Sequence, residues 1–181
     1  MDFFEKTIST DRIYDGKVIN FRVDTVELPN GGVSKRELVE HPGGVGVVAV
    51  DGDGCLLLVE QFRKSYDKMI LEIPAGKMER GEEPERCGRR ELEEETGYAA
   101  ERFEFLGECY PSVGYTNEII RLFLASGLKK TQQHTDEDEF LNVIRVPFEA
   151  VYKRIMNNEI ADAKTVIGVL KAYMKLNCKG D

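Results

Sequence analysis

The sequence predicts an α/β domain built on a mixed β-sheet, preceded by a small antiparallel β unit. Three observations carry this expectation. Residues 11–40 read as β-structure around an Asn30-Gly31-Gly32 turn. Residues 45–50, VGVVAV, form a continuous apolar run suited to a buried strand. The strand-like segments that follow alternate unevenly with helix-like ones, as in a mixed-sheet α/β domain.

Each element follows in order. KVINFRVDTVEL (17–28) alternates and is rich in β-branched residues, and VSKRELVEH (33–41) returns after the turn. Pro42-Gly43-Gly44 ends this section. Residues 1–42 are therefore expected as an antiparallel unit that cannot bury both faces alone, and residues 43–181 as the main domain. After VGVVAV, Asp51-Gly52-Asp53-Gly54 reads as a turn into CLLLVEQFR (55–63). A calcium loop is the weaker reading there, since the twelve-position ligand pattern does not continue. ILEIPAG (70–76) reads as a short strand ended by Pro74 and Gly76. Residues 83–96 are expected as a helix, with Pro84 in its first turn and Gly97 just past its end. RFEFLGECY and EIIRLFLAS are strands flanking a loop at 111–117, and FLNVIRV is a further strand. Helices over 147–157 and 161–177 close the pattern.

The 181 residues carry 25 Lys and Arg against 33 Asp and Glu, a net charge of −8. Residues 82–95 hold seven acids and three bases, and residues 136–139 read Asp-Glu-Asp-Glu. These two windows carry the whole excess. Such a balance argues against a nucleic-acid or anionic-membrane partner, which would need a basic face. No apolar run approaches a membrane span, and MDFFEKTIST does not read as a secretory signal. Cys55, Cys87, Cys109 and Cys178 show no CxxC pair or zinc spacing and read as free thiols of a reducing, cytoplasmic compartment. With only His41 and His134, a His-rich metal site is excluded.

The chemically informative stretch is GKMERGEEPERCGRRELEEETGY, residues 76–98. On a helix, Glu91, Glu94 and Glu95 stand at i, i+3 and i+4 and share one face. Three like charges there repel one another. One reading is a charged, solvated face. The other is a site for a hard dication such as Mg²⁺ or Mn²⁺, which prefers oxygen ligands. Arg90, one turn before Glu94, is placed to orient or partly neutralise it.

The full spacing resembles the Nudix box of the Nudix hydrolases. Gly76, Glu82, Arg90-Glu91-Leu92, Glu94-Glu95 and Gly97 occupy its fixed positions, and Tyr98 replaces the usual aliphatic residue at the last. The resemblance implies an α/β/α sandwich with a mixed sheet, and hydrolysis of a nucleoside diphosphate linked to another moiety. It further implies Mg²⁺ held mainly by Glu91 and Glu95, with Glu94 and the backbone carbonyl of Ala75 as further ligands. Glu82 and Arg90 match positions that hold loop and helix together.

Beyond the box, VEQFRK, LEIPAGK, YPSVGYTNE and Pro111 resemble the ADP-ribose pyrophosphatase branch, as does the N-terminal segment. That branch implies hydrolysis of ADP-ribose to AMP and ribose 5-phosphate. It also implies a homodimer formed with help from the N-terminal unit. Arg63 is then the expected diphosphate-binding arginine, since a planar guanidinium suits phosphate. Glu72 is expected either beside the site or as a salt-bridged sheet residue. Arg36 and Glu37 read either as contacts to adenine or ribose, or as ordinary exposed strand residues. Tyr115 either lines the pocket or packs. The branch also places a catalytic base on a late acidic loop, here Glu139 in preference to Glu137. The competing expectations are hydrolysis of a GDP- or UDP-sugar and a non-catalytic nucleotide-sensing domain.

Overall fold

A computed structural model describes residues 2–135 and 139–177. The chain forms two compact units, Met1–Gly43 with Tyr110–Ile119, and Gly44–Cys109 with Ile120–Asp181.

The first unit contains an antiparallel sheet of β1 (Lys6–Asp15), β2 (Asn20–Glu27) and β3 (Val33–Glu40), in that order. The Asn30-Gly31-Gly32 turn is closed by Leu28 N–H donating to the Gly32 carbonyl at 2.8 Å. Strand β1 begins at Lys6, five residues before the start expected from the sequence. All ten of its positions are exposed, so no burial periodicity marked them; pairing with β2, from Lys6 opposite Glu27 onward, makes the strand. The loop from Tyr110 to Ile119 belongs to this unit. Val39 N–H donates to the Tyr115 carbonyl at 2.7 Å, and Asn117 N–H donates to the Val39 carbonyl.

The second unit is an α/β/α sandwich. Its sheet runs β10 (Leu141–Pro147), β5 (Cys55–Arg63), β4 (Gly44–Val50), β9 (Ile120–Lys130), β8 (Tyr98–Cys109). Strands β4 and β9 are parallel and the other pairs antiparallel, so the sheet is mixed. The apolar run of β4 occupies its centre because both faces there are covered. Val47 and Ala49 point to the side of α1 (Pro84–Thr96), where Leu92 packs, and Val48 points to the side of α2 (Phe148–Met156) and α3 (Ala163–Asn177), with Val151 and Val169.

The segment expected as one strand over 70–76 is two. β6 (Lys68–Glu72) pairs with β5, and β7 (Ala75–Lys77) pairs with β4. Pro74 lies at the break, where a missing N–H costs no ladder bond, while its carbonyl accepts from Val47 N–H at 2.8 Å. This jump between neighbouring strands carries the chain from Arg63's partner strand to the start of the acidic helix. Among the described residues, no helix is long and apolar enough to cross a membrane, and Cys55 and Cys87 are buried free thiols.

Candidate active site

Helix α1 is framed as its sequence demands. Pro84 sits in the first turn, and Gly97 takes a left-handed conformation (φ 70°) and donates to the Glu93 carbonyl at 2.8 Å. Glu93, Glu94 and Glu95 crowd the last turn, where the helix dipole disfavours anions, and no basic residue offsets them within that turn. The helix is therefore electrostatically unfavourable as an isolated element.

Tertiary structure distributes those carboxylates unequally. Arg90 forks onto Glu82, with Nε and Nη2 donating at 3.0 and 3.1 Å, and its Nη1 donates to Glu94 at 2.8 Å. The same Nη1 lies 2.8 Å from Glu91 Oε1. That fork holds the Glu82 carboxyl down at about 2. Glu95 is 2% exposed and accepts the Ala75 N–H at 2.9 Å. Glu91 lies against Gly76: a Cβ on that glycine would stand 1.9 Å from the Glu91 Cδ. Burial pushes Glu91 up to about 7, against the opposing pull of Arg90, with Glu94 and Glu139 adding to the rise. Burial likewise pushes Glu95 up to about 8, against the Ala75 hydrogen bond, with Glu91 and Glu139 adding to it.

The donor set suits a hard dication: two carboxylates share a recess lined by the backbone of β7. Burial there disfavours their charged forms, and the Arg90 ion pair and the Ala75 N–H offset this only in part. Among the described residues, no three acidic, His or Cys side chains already stand as a closed metal cage. Glu94 instead pairs with Arg90.

Beside this recess, Arg63 forks onto Glu72, with Nε and Nη2 donating at 2.6 and 2.8 Å. Glu72 is 2% exposed and also accepts from Lys164. Burial opposes its ionisation, but Arg63 and Lys164 together hold its carboxyl below the usual range. A cleft of about 560 Å³ lies on the same unit, lined by Glu60, Phe62, Met69, Gln133, Glu139 and Asn142.

Residues 40–166 match the NUDIX domain family, and residues 5–39 match the nucleoside diphosphate sugar hydrolase N-terminal domain. The chain belongs to the Nudix family. It is 48% identical over 176 residues to a methanol dehydrogenase activator of Bacillus methanolicus, covering 96% of this chain and 94% of that one. It is 47% identical over 173 residues to an ADP-ribose pyrophosphatase of Bacillus subtilis (strain 168), covering 94% of each. A solved structure described as an ADP compounds hydrolase superposes with a TM-score of 0.83 at 18% identity, covering 97% of each chain, and so shares the fold.

Of the remaining candidates in this Nudix chain, Arg36, Glu37 and Tyr115 belong to the first unit, and Glu139 belongs to the second, where its charge acts on both Glu91 and Glu95. Arg36 donates to Glu5 and, at 3.0 Å, to Ser34 Oγ, all within the first unit. Glu37 follows it on β3 and is exposed, so the two side chains leave opposite faces of the strand. Tyr115 is exposed in the Tyr110–Ile119 segment. Glu139 is exposed at the mouth of β10, and Glu137 lies outside the described residues.

Two features escaped the sequence reading. Gln133 Nε2 donates to the Glu95 carbonyl at 2.7 Å, and His134 N–H donates to the Glu94 carbonyl at 3.0 Å. The segment leading into the acidic loop thus caps the C-terminal end of α1. The second is Lys164, which lies 92 residues from its partner Glu72. Neither carries a motif, because both act through long-range contacts.

Proposed function

We propose that this Nudix hydrolase cleaves the pyrophosphate bond of ADP-ribose, giving AMP and ribose 5-phosphate. The observation that carries the reading is the pair of Glu95, buried on the Ala75 N–H, and Glu91, partly buried against Gly76, next to the forked Arg63. The name of the Bacillus subtilis relative, aligned along nearly the whole chain, supports the substrate. A GDP-mannose pyrophosphatase of Yersinia enterocolitica is 34% identical over 142 residues, a shorter and weaker likeness.

In this reading Glu91 and Glu95, with Glu94 and the Ala75 carbonyl, hold Mg²⁺, for which Mn²⁺ is the alternative. Bound dications polarise a diphosphate and lower the pKa of attacking water. Arg90 and Glu82 keep the helix and the preceding loop in register. Arg63 binds the diphosphate through its planar edge. Glu139 accepts the proton from water, since its charge already acts on both Glu91 and Glu95. Much of that repulsion is neutralised by bound dications, so that the loop carboxylate approaches when substrate is bound. Arg36 and Glu37 contact adenine or ribose of the substrate in this or the partner subunit. Because they leave opposite faces of β3, the two do not act on one adenosine together. The protein works in the cytoplasm as a homodimer. In support of the dimer, β1 is exposed along its whole length and carries Ile8 and Ile13, with Phe3 and Phe4 beside it.

The test is a comparison of kcat/KM for ADP-ribose, GDP- and UDP-sugars and dinucleotides, each with Mg²⁺ and with chelator. ADP-ribose is expected to lead, and activity to vanish with chelator. A preference for a non-adenine sugar overturns the substrate, and no hydrolysis of any compound restores the nucleotide-sensing alternative. Sedimentation analysis tests the dimer, with a monomer at micromolar concentration refuting it.

A further inference from the structure

The side chains around Glu72 form a closed charge network of two cations and two anions. Arg63 donates two hydrogen bonds to Glu72. Lys164 Nζ donates to Glu72 and, at 3.1 Å, to Asp162 Oδ1. Asp162 Oδ2 in turn accepts the Thr165 N–H at 3.0 Å and the Thr165 hydroxyl at 2.6 Å. The Thr165 hydroxyl oxygen also accepts the Ile73 N–H at 2.9 Å. The first turn of α3 therefore holds both Glu72 and the backbone immediately before Pro74-Ala75-Gly76.

The members differ in burial. The Glu72 side chain is 3% exposed and that of Lys164 is 11% exposed, whereas that of Arg63 is 38% exposed. Only the arginine can meet a solvent-borne anion. A diphosphate that draws the guanidinium toward itself weakens the Arg63–Glu72 fork. A buried carboxylate stripped of its partner is strongly disfavoured. Here Lys164 remains on it, anchored by Asp162 to the helix.

We propose that Lys164 and Asp162 are positioning residues for Arg63: they keep Glu72 compensated, so that the guanidinium is held ready yet can be released to the diphosphate of the substrate. This rests on the diphosphate-binding reading of Arg63 given above. The network acts on substrate affinity rather than on the chemical step.

The test is steady-state kinetics of Lys164→Gln, Lys164→Arg and Arg63→Ala, with the substrate that the wild type turns over fastest. Lys164→Gln is expected to raise KM about tenfold with kcat little changed. Lys164→Arg, which keeps the charge, is expected to restore most of that loss. In an Arg63→Ala background, Lys164→Gln is expected to add little to KM, since the residue it serves is gone. A purely structural lysine would lower Tm in both backgrounds and leave KM alone; that result overturns the inference, as does an additive KM effect. Should Lys164→Gln fail to fold, Glu72→Gln is compared with Glu72→Gln/Lys164→Met, which buries no uncompensated charge. Equal KM values support the inference and a further rise refutes it. The two readings fail separately. A wild-type preference for another nucleotide sugar refutes the ADP-ribose assignment, while an unchanged variant-to-wild-type KM ratio refutes the role of Lys164.

Discussion

Glu91 fills the space that a side chain on Gly76 would occupy, with its Cδ 1.9 Å from where that Cβ would stand. The contact joins the first fixed glycine of the motif to a carboxylate fifteen positions later. It gives the glycine a steric role at a place where its φ is not left-handed.

Gly76→Ala is therefore expected to displace the Glu91 carboxylate rather than to unfold the protein, because the colliding atoms end a flexible side chain. Activity should fall at least ~100-fold, in line with disturbance of a metal ligand, with Tm within a few degrees of wild type. A variant of normal activity would show that the Glu91 position is unimportant.

Stability without metal should depend on pH in an unusual direction. An ordinary glutamate ionises near 4.5, but Glu91 and Glu95 do so at about 7 and about 8 in the folded protein, chiefly through burial. Between these values the native state holds protons that the unfolded chain has released. Stability is thus greatest, for these groups, below 4.5 and declines as pH rises toward 8. Glu82, held down at about 2, has the opposite sign, but its contribution is lost only as pH falls below the ordinary carboxylate range. Thermal melts in chelator should show Tm decreasing from pH 5 to 8, and Mg²⁺ should raise Tm more at pH 8 than at pH 6. Glu95→Gln should flatten the chelator profile. A Tm in chelator that rises over this interval would contradict the burial argument.

Glu139→Gln is expected to collapse kcat by ~100-fold or more while leaving metal and substrate affinity largely intact, as for loss of a general base. Glu137→Gln serves as the comparison and should cost far less. Unchanged turnover in Glu139→Gln would remove it from the mechanism.

Arg90→Ala removes the partner shared by Glu82, Glu91 and Glu94. The loss of several charge-assisted bonds should cost about 2 kcal/mol or more, measured by urea unfolding in chelator. Saturating Mg²⁺ should recover part of it, because a dication opposes the same carboxylate repulsion. Equal destabilisation with and without Mg²⁺ would place the role of Arg90 wholly in the Glu82 fork.

What the sequence determined by itself is the local chemistry of residues 76–98. The spacing of Gly76, Glu82, Arg90, Glu91, Glu94, Glu95 and Gly97 marks a helix, its ends and one acidic face, because helical periodicity and capping are short-range effects. It also marked the hairpin at Asn30-Gly31-Gly32 and the central strand of VGVVAV, since turn conformation and two-sided burial leave compositional traces. Only the tertiary structure separated the three carboxylates. Glu95 is buried under the Ala75 N–H, Glu91 is seated on Gly76, and Glu94 is paired with Arg90. Equal residues on one helix face became unequal because the sheet covers one edge of that face and an arginine covers the other. The break of 70–76 into two strands, the extension of β1 back to Lys6 and the link from Lys164 to Arg63 were equally out of reach. Each depends on which distant segment a backbone or charge meets, and a contact spanning 92 residues leaves no periodicity to read.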